Sequence, residues 1–107
     1  MPDSKPHPPW FNPAMPQRDD CVLAALLDRR AQQAPDATLI HFEDGTTWSA
    51  AGTVDTTRRA AAALRSLGIA PGDRVLAWLP NGPSLLRAWF AANYLGAILV
   101  PINTAYR

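Results

Sequence analysis

The sequence predicts an α/β fold built from a β-hairpin, flanking helices and a parallel βαβ unit, and three observations carry that prediction. Apolar residues recur at helical spacing in three segments. An Asp-Gly turn separates two short β-prone runs near residue 44. A strand–helix–strand succession between residues 74 and 100 is punctuated by Pro and Gly at the helix ends.

Residues 1–18 hold six of the chain's 11 prolines. Proline lacks a backbone donor and fixes φ, so this stretch is expected to be a disordered, largely polyproline-like tail. The organisation expected is therefore a tail over 1–18 and a folded part over 19–107. At Asp19 and Asp20 a helix is expected to begin, capped by one of these carboxylates. Its apolar positions are Val22, Leu23, Leu26, Leu27, Ala31 and Ala34, and Pro35 ends it. Thr38-Leu39-Ile40-His41-Phe42 reads as a strand, Glu43-Asp44-Gly45-Thr46 as a turn, and Thr46-Thr47-Trp48 as the returning strand. Ser49 is suited to cap the next helix, which runs to about Leu67 and stops at Gly68. Its apolar face is expected to comprise Val54, Ala61, Leu64 and Leu67.

After a tight loop, residues 74–79 alternate little and predict a strand buried on both faces. Pro83 opens the next helix and Gly96 stops it, with Ala97-Ile98-Leu99-Val100 as the closing strand. At about 100° per residue, Leu85, Leu86, Trp89, Phe90, Tyr94 and Leu95 spread over more than half of this helix's circumference. A helix so apolar calls for partners on two sides, which the other predicted elements are too few to supply. The expectation is an incomplete piece of a larger domain.

Ten basic and nine acidic residues are interspersed for a net charge of +1, so no nucleic-acid partner is implied. The single cysteine excludes an internal disulfide and fits a reducing, cytoplasmic setting. No apolar run reaches the roughly 20 residues of a membrane span.

In order and spacing, several stretches resemble the start of adenylate-forming (AMP-binding) enzymes. They are the hairpin ending Thr47-Trp48-Ser49, Leu64-Arg65-Ser66-Leu67-Gly68-Ile69, Pro71-Gly72-Asp73-Arg74-Val75, Leu79-Pro80-Asn81-Gly82-Pro83, and Gly96-Ala97-Ile98-Leu99-Val100-Pro101-Ile102-Asn103-Thr104. The resemblance runs from about residue 19 to the end. The final eight residues look most like the acyl-CoA synthetase/ligase branch, crotonobetaine/carnitine-CoA ligase-like members included. One departure is Ala50-Ala51, where family members often carry Glu-Leu; it weakens a capping box.

The resemblance implies an incomplete piece of the large N-terminal domain of such enzymes. It also implies their reaction in a full-length member. A carboxylate attacks ATP to give an acyl-adenylate and pyrophosphate, and CoA then takes the acyl group. ATP, Mg2+ and CoA are the implied cofactors, and a small carboxylate the implied substrate. That chemistry needs a phosphate-holding loop, a metal and a lysine at the developing charge. The only lysine is Lys5, in the tail, and the 68–72 loop lacks the Gly-Lys-Ser/Thr ending of a P-loop. The chain alone is therefore expected to be inactive, and no residue is assigned to a catalytic, cofactor-binding or metal site.

Other chemistry-bearing residues read as structural. Cys21, at a helix start, is expected to be a small buried or half-buried side chain. His41 is expected to face solvent, and Glu43 and Asp44 to be solvated turn residues. Arg58 and Arg59 make a solvated face, and Trp78 and Trp89 are expected in the core. Asn81, Asn103 and Thr104 lie beside strand ends, where parallel sheets bind ligands, but read as capping and turn residues. Pro13-Ala14-Met15-Pro16-Gln17-Arg18 fits a proline-groove ligand pattern that also arises by chance. The alternative function is a non-catalytic module that dimerises, or docks onto the rest of a split ligase, through helix 83–95. A broken reading frame without function is the third reading.

Overall fold

The computed structural model describes residues 8–10, 12–14 and 21–105. Its elements run α1 (Leu23–Gln33), β1 (Thr38–His41), β2 (Thr47–Ser49), α2 (Ala50–Ser66), β3 (Arg74–Ala77), α3 (Pro83–Leu95) and β4 (Ile98–Pro101). This is the predicted α/β arrangement: β1 and β2 pair antiparallel, and β3 and β4 pair in parallel around α3. Asp19, Asp20, Lys5 and all but Pro13 and Ala14 of the proline-groove pattern lie outside the described residues.

α1 departs from expectation at its start. Its N-cap is Val22, extended and with no side-chain cap hydrogen bond. Its buried stripe is also narrower than the periodicity implied. Leu27 is buried and Leu23 and Ala31 pack beside it, whereas Val22 and Leu26 are exposed. The helix ends at Gln33, two residues before Pro35.

The hairpin forms as its residues dictate. Phe42 N–H donates to Thr46 O (2.8 Å) and Gly45 N–H to Phe42 O (3.0 Å). Gly45 takes φ +91°, a left-handed conformation that suits glycine. The Asp44 carboxylate accepts from the Thr46 amide (2.9 Å) and hydroxyl, which holds its pKa below the usual carboxylate value. Phe42 and Trp48 meet edge to face, with ring centroids 5.0 Å apart.

Ser49 caps α2 as expected, its hydroxyl accepting from Gly52 N–H at 2.9 Å. The helix buries Ala50, Thr53, Val54, Thr57 and Ala61, and Leu64 is partly buried. Leu67, expected on that face, is instead 78% exposed. It is the C-cap, and the chain turns away at Gly68 (φ +95°) before its side chain can reach the core. Thr53 and Thr57 take up the buried stripe. The Thr53 hydroxyl donates to Ser49 O (2.7 Å), while the buried Thr57 Oγ1 has no partner. Ala61 of this stripe packs with Ala91 of α3, and both Ala91 and Ala92 are fully buried.

α3 starts with Pro83 at its first turn after Gly82, and ends on Gly96 in the left-handed conformation (φ +70°). Phe90 packs with Leu27 and Val54, so one core cluster joins all three helices. A second joins Ala61, Ala91 and Leu95. In the sheet, Arg74, Val75, Leu76 and Ala77 stand opposite Ile98, Leu99, Val100 and Pro101. β3 is shorter than the 74–79 strand expected, and it is not buried on both faces. Ala77 is buried, but Leu76 is 66% and Trp78 63% exposed, with Ile98 exposed beside them. Alternation sends these side chains to the face away from α3, where the described residues supply no covering layer. Trp78 is therefore not a core residue. Trp89 is not one either, at 44% exposed.

Candidate functional site

Two adjoining depressions lie where the hairpin, α3 and the parallel pair converge. The larger is an open groove of about 600 Å³ between Ile40 and Phe42 of the hairpin, Leu85, Leu86 and Trp89 of α3, and Leu99 and Pro101 of β4. His41 is at its rim, exposed as expected. The smaller, about 320 Å³, sits past the C-terminal ends of β3 and β4. It brings together Asn81, Asn103 and Thr104, the polar residues singled out in the sequence, with Leu79, Pro80 and Ile102. The C-terminal edge of a parallel sheet is the usual ligand side. Asn103 nevertheless spends its side-chain oxygen on Ala105 N–H (2.9 Å), which makes it a turn residue.

The hairpin wall is held to α3 by Arg87. Its guanidinium lies 5.1 Å from the Trp48 ring centroid, and its Nε donates to Thr56 Oγ1 at 3.1 Å. Sequence reasoning missed this residue, because a lone arginine on an apolar helix reads as a solvent-facing charge. About two turns further along α3, Tyr94 OH donates to Asp28 Oδ1 (2.6 Å), and Arg58 reaches the same oxygen at 3.2 Å. Burial, and then the hydrogen bond to Asp28, push the Tyr94 pKa up to about 12. Arg58 is thus more than a solvated charge, whereas Arg59 pairs only with Asp55 one turn earlier on the exposed face (3.2 Å).

The loop between α2 and β3 cannot cradle a phosphate, because its amides are already committed. Gly68 N–H donates to Arg65 O, Ile69 to Leu64 O, Ala70 to the Asp73 carboxylate, Gly72 to Gly96 O and Asp73 to Ala70 O. Residue 71 is proline and has no N–H. The backbone nest that anion binding demands is absent from this loop. Cys21 is exposed rather than buried or half-buried. Glu43 and Asp44 are exposed turn residues, as expected. Among the described residues no group of three or more His, Cys, Asp or Glu could hold a metal ion. No helix among them is long and apolar enough to cross a membrane.

A family model described as AMP-binding enzyme matches residues 27–107. The chain is 42% identical over 85 residues to a Mycobacterium tuberculosis 3-[(3aS,4S,7aS)-7a-methyl-1,5-dioxo-octahydro-1H-inden-4-yl]propanoyl:CoA ligase, covering 79% of this chain and 17% of that one. It is 38% identical over 85 residues to a crotonobetaine/carnitine–CoA ligase of Salmonella paratyphi A, covering 76% and 16%. The fold matches the crystal structure of the N-terminal domain of FACL13 from Mycobacterium tuberculosis with a TM-score of 0.71 at 32% identity, covering 78% of this chain and 21% of that one. The chain thus spans about a sixth of the length of the curated relatives it matches.

Proposed function

The chain belongs to the AMP-binding enzyme family, the adenylate-forming acyl-CoA ligases among its relatives, and from that premise we propose that it supplies the N-terminal scaffold of an ATP-dependent acyl-CoA ligase. The observation that carries this is the family match over residues 27–107, together with the fold likeness to an N-terminal domain. In the proposed full-length reaction a carboxylate oxygen attacks the α-phosphorus of ATP and pyrophosphate leaves. The CoA thiol then attacks the acyl carbon, and AMP leaves. ATP and Mg2+ would supply the activated phosphate and its charge neutralisation. A small carboxylate and CoA would be the other reactants, in a cytoplasmic setting.

Three observations support the proposal that the chain alone is inactive. Its one lysine is Lys5, its glycine loop has no free amide to offer, and its described carboxylates form no metal cluster. Residues 19–107 are accordingly proposed as part of the N-terminal catalytic domain, a framework onto which phosphate loop and lysine are added from outside this sequence. The test is carboxylate-dependent ATP–pyrophosphate exchange by the purified 107-residue chain, across aromatic, aliphatic and fused-ring acids. Exchange at background is expected. Exchange that depends on the acid would overturn the scaffold reading.

A second reading, a binding or assembly module, is favoured by one observation: the apolar side chains left open on the groove and on the β3–β4 face. In this reading the chain self-associates or docks onto the rest of a split ligase through these surfaces. Sedimentation velocity on the purified chain separates the two. A second copy is indicated by concentration-dependent dimers, and a cooperatively folded monomer at all concentrations rejects self-association.

A further inference from the structure

We draw no further inference here: the strongest candidate, the apolar groove between the hairpin, α3 and β4 lined by Ile40, Phe42, Leu85, Leu86, Trp89 and Leu99, belongs to the docking reading already given, and nothing in the structure shows what covers it.

Discussion

Residues 89 and 90 are adjacent aromatics on one helix with opposite surroundings, and replacing each by alanine tests the architecture directly. Phe90 is 6% exposed and packs on Leu27 and Val54, so its removal empties the only cluster that joins all three helices among the described residues. A buried phenylalanine hides on the order of 200 Å². At about 25 cal/mol per Å² this is roughly 5 kcal/mol, the top of the range of about 3–5 kcal/mol measured for Phe→Ala in cores. A domain of this size has only about 5–15 kcal/mol in total, so Phe90→Ala should lose between about a third and all of it. Trp89 is 44% exposed on the groove wall, and only part of its ring area is hidden. Trp89→Ala should cost at most about 2 kcal/mol, since much of the indole already meets water and alanine is the better helix former. Urea unfolding followed by far-UV circular dichroism measures both without relying on the tryptophan signal. Equal losses for the two variants at micromolar concentration would refute the reasoning, because they would mean that the groove is covered in solution.

The remaining predictions are local or concern the reaction. Ser49→Ala should lose about 1 kcal/mol by removing the cap on Gly52 N–H, and Ser49→Gly only a few tenths, as read from urea midpoints. Tyr94 has a folded-state pKa raised from 10 to about 12, so its contribution is complete below pH 10 and is lost as pH rises through about 12. Stability of the parent should therefore fall more steeply over pH 10–12 than that of Tyr94→Phe, and identical alkaline slopes would remove Tyr94 from the account. Acid-dependent pyrophosphate exchange should be absent, and the sedimentation profile should decide between scaffold and self-associating module, as set out above.

Much of the fold was legible because punctuation residues act locally. Ser49, Pro83, Gly45, Gly68 and Gly96 act through their own φ angles or side chains, and each sits where its chemistry placed it. What escaped depended on neighbours distant in sequence. Thr53 and Thr57 look polar, yet both are fully buried; the Thr53 hydroxyl turns back to Ser49 O, while Thr57 Oγ1 is buried without a partner. The β3 segment looked doubly buried because an unbroken apolar run says that both faces avoid water. It does not say what provides the cover. Trp78 is exposed for that reason, and Trp89 because the apolar circumference of α3 likewise does not say which side is covered. Asn81, Asn103 and Thr104, which read in the sequence as capping and turn residues beside strand ends, are gathered by the structure at one cleft. Their proximity to the hairpin groove depended on packing across α3, which no spacing encodes.

The Tyr94–Asp28 hydrogen bond has a consequence for the order in which the molecule assembles. It ties positions 66 apart in sequence, whereas β3 and β4 meet across 24 positions, from Arg74 to Ile98. Closing the longer span costs about 1 kcal/mol more chain entropy than the shorter one, on the 1.5RT ln n scaling. The parallel unit can therefore close before α1 reaches α3, whereas α1 meets α2 across only 30 positions, from Asp28 to Arg58. Arg58 and Tyr94, presented together by α2 and α3, are the latch that receives α1. The long-span contact of the first helix is then the one to α3, and its short-span contact the one to α2.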